Sequence, residues 1–393
     1  MKPFGKRLRQ RAAAALLGLG MLLTAGCGKT RVIERPKSDP DILLSQMTLR
    51  EKVGQVFVIR PDQLLTSVPA ADAHDANADG VTGVNREMYQ MLRDYPAGGF
   101  AIFGKNIAYP RQVRELTGAL RTCCPYAPMI AVDEEGGQVA RLANAYGFSL
   151  PKVGSMEKIG RTGDTEKARQ AGETIGGYLA DYGFTMDFAP DADVNLNPDN
   201  QVIGSRSFGS DPQLVAEMVS AYIDGLHEHG VLAVIKHFPG HGDTSEDTHS
   251  GYVALHKTWD ELLAAELVPF RANLDKTDAV MVSHITLDRV TDDGLPASLS
   301  KQLVTGRLRE ELGYDGLVIT DSLAMGAIEQ HYSSEEAAVL AFDAGCDILL
   351  MPQDYRQAFD GLVKAVEDGR ISEERLNESV RRILRVKYAD RRA

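Results

Sequence analysis

The stretch VLAVIKHF, residues 231–238, decides the fold. Five apolar residues in succession are followed directly by a lysine and a histidine. An apolar run without polar alternation is typical of a strand buried on both faces of a parallel sheet. We predict strands in this run and in seven others of the same kind, at 53–60, 98–104, 128–135, 184–193, 278–285, 316–322 and 346–352.

Amphipathic segments separate these runs and predict helices. The segment 211–230 has Asp211 as a candidate N-cap, Pro212 in the first turn and Gly230 as a stop signal. Eight strand-helix units predict an α/β fold, a (β/α)8 TIM-type barrel that forms a single catalytic domain over residues 41–393. A doubly wound sheet is the alternative, although it would require a glycine-rich loop at its switch point. The other predicted helices are 164–183, 298–313 and 372–389, and 61–85 is predicted to be an extended loop after the first strand.

Residues 1–26 predict a lipoprotein signal peptide. Basic residues precede an apolar run that is too short for a comfortable membrane span. The run ends in LLTAGC, which resembles the lipobox of bacterial lipoproteins with Cys27 as the lipidated residue, and an ordinary signal peptide is the alternative. Residues 27–40 read as a tether. We therefore expect an exported protein that is lipid-anchored to a bacterial membrane and faces the periplasm or the exterior.

Charge and cysteine content exclude two classes of function. Removing residues 1–26, which carry five basic and no acidic residues, changes the formal net charge from −12 to −17. A protein with this negative charge is not expected to bind nucleic acid, because nucleic acid is bound by basic surfaces. Cys123, Cys124 and Cys346 lack the spacing of a zinc site, and we predict that they are core thiols.

Six titratable residues lie at the ends of five of the predicted strands. Catalytic residues of (β/α)8 barrels lie at the C-terminal ends of the strands, so these side chains should converge on one rim. Asp321, at the end of GLVITDS, could be a nucleophile, a metal ligand or a helix N-cap. The six residues are Asp133, Asp191, Lys236, His237, His284 and Asp321.

The fifth strand runs into KHFPGHGDTSEDTH, residues 236–249, which allows three interpretations. As a metal site, it would use His237, His241 and His249 with Asp243 or Asp247. A helical metal-binding pair is excluded because the loop contains a proline and two glycines. The third possibility is a merely polar loop.

Proton transfer is the interpretation that we favour for this loop. In an extended segment, Asp247 and His249 point to the same side. The carboxylate can then fix the tautomer of the imidazole and raise its basicity. We expect Pro239, Gly240 and Gly242 at the base of the loop to let this pair move.

Four motifs together resemble glycoside hydrolase family 3, in its N-acetyl-β-glucosaminidase branch and the bacterial lipoprotein form of that branch. KHFPGHGDTSEDTH is similar to the branch motif K-H-[FI]-P-G-H-G-x4-D-x-H at every specified position. VDEEGGQVARL, IGSRSFGSDP and ITDSLAM occur around it in the family's order. The resemblance implies that Asp321 is the nucleophile, that His249 is the acid/base and that Asp247 orients His249. It also implies a set of substrate-binding residues, Asp133, Arg141, Arg206, Lys236, His237 and His284, and leaves His241 without a role.

The resemblance implies a retaining exo-β-N-acetylglucosaminidase without metal or other cofactor. Its substrate would be terminal β-linked GlcNAc of peptidoglycan fragments (muropeptides) or chitooligosaccharides, and we expect a monomer that contacts the membrane through its lipid anchor. One alternative is a β-glucosidase or β-xylosidase of the same family, which usually takes a glutamate from a second domain. The other is a non-catalytic glycan-binding lipoprotein, in which Asp321, Asp247 or His249 could be lost.

Overall fold

Eight short parallel strands form a closed ring. The structure, a computed structural model, describes residues 38–244 and 253–388. Each of the first six strands pairs with the next along the chain, and the first also pairs with the eighth. A parallel bridge between Ile319 and Ile348 joins the seventh strand to the residue that precedes the eighth. The strands are β1 (Phe57–Ile59), β2 (Gly99–Ala101), β3 (Met129–Val132), β4 (Met186–Asp187), β5 (Leu232–Phe238), β6 (Ala279–Val282), β7 (Leu317–Thr320) and β8 (Leu349–Leu350).

This ring confirms the predicted (β/α)8 TIM-type barrel. A doubly wound sheet would have two free edges, whereas here the last strand returns to the first. Every residue of the eight strands is buried, which explains why the runs are apolar without alternation. All eight predicted runs contain a strand. The first run was predicted too long, because its residues 53–55 belong to the helix Leu49–Gln55.

The α-helices include three of the four helices predicted from the sequence, those at 164–183, 211–230 and 372–389. Asp211 caps Pro212–His227 by accepting from the backbone N–H groups of Gln213 and Leu214, and Gly230 has a φ of +71° after the helix end. No helix within the described ranges combines the length and apolarity needed to cross a bilayer. The remaining α-helices are Pro40–Gln46, Ala70–His74, Arg86–Asp94, Pro110–Cys123, Met156–Gly160, Thr165–Tyr182, Trp259–Ala264, Val268–Asn273, Gly326–Glu329, Ser334–Ala344, Tyr355–Glu367 and Glu373–Tyr388.

Two segments differ from their sequence predictions. The predicted helix 298–313 is divided into a 3₁₀ turn at Ala297–Leu299 and a π-helix at Gln302–Glu311. The predicted loop 61–85 contains the 3₁₀ helix Pro61–Leu64 and the short helix Ala70–His74. Further short elements are the 3₁₀ turns Gly104–Asn106 and Gly204–Arg206, an antiparallel hairpin of Glu134–Gly136 with Val139–Ala140, and a parallel pair of Val253–Ala254 with Ile285–Thr286.

Candidate active site

A cavity of about 450 Å³ opens at the C-terminal ends of the strands. This is the face at which (β/α)8 barrels carry their chemistry. Residues from several different strand ends and loops line it, so the barrel brings together side chains that are far apart in sequence. Six of the predicted site residues are among them: Asp133, Arg141, Arg206, Lys236, His237 and Asp321.

Asp321 directly follows β7 and faces this cavity. Its backbone N–H donates to the carbonyl of Val282 in the neighbouring strand at 2.9 Å, so the hydrogen bonding between the two strands continues to the backbone of Asp321. Its Oδ1 accepts from the N–H of Ser322 at 2.7 Å. The helix Gly326–Glu329 has Met325 at its N-cap position, so the helix-capping alternative for Asp321 does not apply to that helix.

Two cations, Lys236 and Arg206, and two carboxylates form one network in the cavity wall. Lys236 Nζ lies 3.0 Å from Asp133 Oδ1 and 2.6 Å from Glu135 Oε1. Arg206 donates to both oxygens of Glu135 at 2.8 Å. Burial opposes ionisation of Asp133 and Glu135, but the adjacent cations outweigh it and hold the pKa of both carboxyls below their ordinary values. The network is therefore fully charged and fixes the Lys236 and Arg206 side chains at the cavity.

Glu135 was missed from the sequence, although it lies within the motif VDEEGGQVARL. It is 1% exposed, and its carboxylate joins Lys236 to Arg206. Three acidic residues in a row gave no indication of which one faces the cavity. The neighbouring Glu134 instead accepts from the N–H groups of Leu142 and Ala143 and from the hydroxyl of Tyr178.

These contacts of Glu134 position Arg141. They hold the backbone directly after it, while its Nη2 lies 3.5 Å from Asp133 Oδ2. The guanidinium lines the cavity, and the backbone N–H of Arg141 also donates to the carbonyl of Asp133 at 3.2 Å. The side chain of Arg141 remains 39% exposed and is accessible to a ligand.

His237 is a neutral hydrogen-bonding group in the cavity wall. Its Nδ1 lies 2.7 Å from Asp193 Oδ2, and its Nε2 lies 3.3 Å from Arg206 Nη2. Burial, together with the charge of Arg206, lowers the pKa of His237 to about 4. A neutral ring that donates through Nδ1 and accepts through Nε2 satisfies both contacts. Asp193 was also missed from the sequence, where it is one of three aspartates in DFAPDAD.

Within residues 38–244 and 253–388, one group of side chains has metal-ligand geometry. Asp191, Asp193 and His237 place their ligand atoms within 4.8 Å of one another. This group shares only His237 with the metal site predicted from the sequence. Arg206 lies 3.6 Å from Asp191, and burial raises the pKa of Asp191 and Asp193, so a guanidinium and protons compete with a cation there.

The loop after β5 is closely packed at its base. A Cβ on Gly240 would lie 2.6 Å from the Cβ of Glu266, and one on Gly242 would lie 1.9 Å from the carbonyl oxygen of Val194. Gly240 also has a φ of +130°, which favours glycine. Close packing at both glycines and the positive φ of Gly240 therefore account for these residues. Our expectation that they let Asp247 and His249 move stays a prediction. The predicted Asp247 and His249, and Cys27 at the chain start, lie outside the described residues.

His241, for which the sequence gave no role, lies at this base. Its backbone N–H donates to Asp193 Oδ1 at 2.6 Å, and its Nδ1 lies 2.7 Å from Thr244 Oγ1. Its Nε2 is buried and has no hydrogen-bond partner among the described residues. The ring lines the cavity, so it both shapes the loop and contributes to the wall.

His284 is placed differently from the other predicted residues. It is completely buried and is not among the residues that line the cavity. Its Nδ1 lies 2.7 Å from Ser298 Oγ, and its Nε2 lies 2.9 Å from the carbonyl oxygen of Ser322. It thus supports the backbone directly after Asp321 from behind.

Further side chains from the first two strands complete the cavity and were missed from the sequence. Arg60 follows β1, Phe103 follows β2, and His74 belongs to the segment that was predicted to be an extended loop. The guanidinium carbon of Arg60 lies 3.9 Å from the centroid of Phe103, and that of Arg141 lies 5.5 Å from it. Arginine over an aromatic face is a favourable cation–π arrangement, so Phe103 helps to fix both cations.

Known proteins with similar sequences share this architecture. The chain is 32% identical over 349 residues to Beta-hexosaminidase A of Pseudoalteromonas piscicida, covering 81% of this chain and 57% of that protein. It is 33% identical over 368 residues to Beta-hexosaminidase LpqI of Mycobacterium tuberculosis, covering 90% of this chain and 87% of that protein. The solved glycoside hydrolase family 3 beta-N-acetylglucosaminidase of Paenibacillus sp. str. FPU-7 superposes with a TM-score of 0.78 at 38% identity, covering 87% of this chain and 62% of that chain.

The chain thus spans less than two thirds of two of these relatives and most of the third. It matches the Glycosyl hydrolase family 3 N terminal domain over residues 48–386, from the helix before β1 into the last helix of the barrel. On this evidence, the chain belongs to glycoside hydrolase family 3, in the branch that contains the β-hexosaminidases.

Proposed function

We propose that the protein is a retaining exo-β-N-acetylglucosaminidase that removes terminal β-linked GlcNAc. The observation that carries this proposal is the position of Asp321. A carboxylate whose backbone is fixed by sheet pairing at the tip of β7 faces a cavity that Lys236 and Arg206 also line. Such a wall can hold sugar hydroxyls while the carboxylate lies at the anomeric carbon. The names of the relatives support the N-acetylhexosamine specificity.

The reaction would proceed in two displacements. Asp321 attacks the anomeric carbon and forms a glycosyl ester, while His249 donates a proton to the departing glycosidic oxygen. His249, now neutral, removes a proton from water, and the resulting oxygen nucleophile displaces Asp321 and regenerates both groups. The assignment of His249 and Asp247 rests on the motif KHFPGHGDTSEDTH.

A histidine suits this role for an electrostatic reason. Its ordinary pKa, near 6.5, already allows donation to a leaving oxygen and later removal of a proton from water near neutral pH. The carboxylic acid used by most retaining glycosidases must first have its pKa raised by burial. A histidine acid/base therefore needs no burial to raise its pKa.

We further propose that the substrates are peptidoglycan fragments or chitooligosaccharides outside the cytoplasm, with the protein anchored through a lipid on Cys27. The signal-like residues 1–26 and the polar segment after them support this location. The measurement is incorporation of labelled fatty acid into the wild-type protein and into Cys27→Ala during expression. Label in both variants at equal level would refute anchoring at Cys27.

The activity is tested by release of p-nitrophenol from the β-glycosides of GlcNAc and of glucose, with and without EDTA. We expect turnover of the GlcNAc substrate that EDTA does not change. Activity on the glucoside alone would refute the N-acetyl specificity. Loss of activity in EDTA that added Zn²⁺ restores would instead support a metal-dependent reaction.

A further inference from the structure

One end of the cavity carries a cation, Arg60, that forms no salt bridge with any carboxylate of residues 38–244 and 253–388. Arg60 is 8% exposed and lines the cavity, yet its Nη1 donates only to the backbone carbonyls of Ala73 and His74. Its Nε is buried without a hydrogen-bond partner among residues 38–244 and 253–388. Asp62, the carboxylate with the largest electrostatic effect on Arg60, is paired with Lys105 at 3.7 Å.

Arg141 lies at the same end and is also incompletely bonded. Among the described residues, its one ion pair is the 3.5 Å contact with Asp133, a carboxylate that Lys236 already contacts at 3.0 Å. Within the described part of the chain, its buried Nε has no partner. Phe103 lies under both guanidinium groups, at 3.9 Å for Arg60 and 5.5 Å for Arg141, so both are held beside the cavity before any ligand arrives.

A neutral sugar does not require this arrangement. Burying a guanidinium without a carboxylate costs free energy, which an anionic ligand would offset. Guanidinium groups bind the oxygens of sulfate and phosphate through paired hydrogen bonds. Burial lowers the pKa of Arg60 only to about 10, so it stays positively charged at neutral pH.

The barrel determines which part of a substrate meets this end. In a ring of eight strands, β1 lies opposite β5, and Arg60 follows β1. The acid/base of the proposed reaction is on the loop after β5, and it must face the leaving oxygen. Arg60 therefore lies on the side away from the leaving group, where the non-reducing hydroxyls of the terminal sugar are placed.

We propose that Arg60, Phe103 and Arg141 form a subsite for an oxyanion substituent, a sulfate or phosphate ester, on the non-reducing side of the terminal sugar. The subsite rests on the proposed function, because it belongs to the same cavity, and it extends that function to charged amino sugars. It lies within a protein body of negative net charge, so recognition is local rather than a property of the whole surface.

The test compares 4-nitrophenyl N-acetyl-β-glucosaminide with its 3-, 4- and 6-O-sulfates and its 6-O-phosphate. We expect at least one ester to have a kcat/KM equal to or above that of the neutral substrate. Arg60→Met keeps an unbranched side chain over Phe103 but removes the charge. It should lower kcat/KM for the preferred ester by about 10- to 100-fold, mainly through KM, and by much less for the neutral substrate.

Two further variants serve as controls. Arg60→Lys keeps the charge and should restore part of the preference for the ester. Arg111→Met removes a cation from an 84% exposed side chain on an outer helix and should change neither substrate. Comparing kcat/KM for the 6-O-sulfate and the 6-O-phosphate shows which of the two esters the protein prefers.

The inference is overturned if every ester is processed at least tenfold less efficiently than the neutral substrate, or if Arg60→Met leaves the ratio of the two substrates unchanged. Lack of hydrolysis of all substrates would refute the proposed function instead. In that event, calorimetric binding of GlcNAc and of its O-sulfates to the wild-type protein still decides the subsite, because tighter binding of a sulfate supports it and equal or weaker binding of all of them refutes it.

Discussion

Replacing Glu135 by glutamine should destabilise the protein and its active site together. Glu135 is fully buried, accepts two hydrogen bonds from Arg206 and contacts Lys236 at 2.6 Å. Glutamine has nearly the same shape but is neutral, and it places an NH₂ group against one of the two cations. The variant therefore leaves two buried positive charges with one fewer compensating carboxylate.

The size of the effect follows from this geometry. Removing one partner of a buried, hydrogen-bonded ion pair usually costs about 3–5 kcal/mol of unfolding free energy. A domain of roughly 350 residues has an unfolding entropy of about 0.7 kcal/mol per kelvin, so the melting temperature should fall by about 4–7 °C. Because Lys236 and Arg206 both face the cavity, kcat/KM should fall by at least about 10²-fold, corresponding to some 3 kcal/mol of lost transition-state stabilisation.

The assays are calorimetric unfolding at pH 7 and hydrolysis of 4-nitrophenyl N-acetyl-β-glucosaminide. Glu115→Gln is the matched control, because Glu115 pairs with Arg111 on the surface with side-chain exposures of 57% and 84%. Exposed pairs contribute about 0–1 kcal/mol, so this control should melt within about 1 °C of wild type. If Glu135→Gln also melts within about 1 °C and keeps kcat/KM within about threefold, the charged network does not hold the site in the way described above.

Three further outcomes are expected. Asp321→Ala should lower kcat by at least about 10³-fold, with azide restoring turnover and yielding the α-glycosyl azide, and a β-azide product would contradict its role as nucleophile. His249→Ala should lower turnover by about 10²–10⁴-fold, and wild-type turnover of a substrate with a poor leaving group would exclude it as the acid/base. Burial, as the largest cause, lowers the pKa of His237 and His74 to about 4, so the unfolded chain binds protons that the folded protein excludes between pH 6.5 and pH 4. Unfolding free energy should therefore fall with decreasing pH in this window, by up to about 1.4 kcal/mol per pH unit for each histidine, and His74→Gln should show a shallower fall in pH-dependent denaturation.

The barrel was predictable because its strands are buried on both faces. That burial makes each strand an apolar run, and the last polar residue of a run marks the rim where the site lies. Lys236, His237 and Asp321 were found in this way. The prediction of 53–60 as one strand was too long, because an apolar run does not distinguish a buried strand from the end of a buried helix such as Leu49–Gln55.

The secondary structure of residues 61–85 could not be predicted from the sequence, because polar contacts rather than a periodic apolar face stabilise this segment. Asp62 accepts from the N–H of Val81 and from the side chain of Asn106, and each of these contacts joins residues nearly 20 or more positions apart. The pattern of a single sequence shows local periodicity, but it does not predict hydrogen bonds between residues that are distant along the chain. Arg60 was also missed, although it ends the predicted run 53–60 as Asp321 follows the apolar residues of its own run.

His284 illustrates the limit of placing residues by strand position alone. It follows β6 as Asp321 follows β7, yet it faces Ser298 and the backbone of Ser322 instead of the cavity. Successive residues of an extended segment point to opposite sides, so a difference of one position beyond the strand end reverses the direction of the side chain. The last residue of β6 is Val282, and His284 lies one position further from its strand than Asp321 does.

If the proposed function holds, the opposite placement of β1 and β5 in the ring divides substrate recognition into two modules. The segment 61–85 and the residue that precedes it would then shape the end that receives the terminal sugar, whereas the loop after β5 would act on the departing group. A graft confined to residues 60–85 could therefore retune which sugar is accepted without touching the catalytic loop. Directed evolution can address the two specificities in separate libraries.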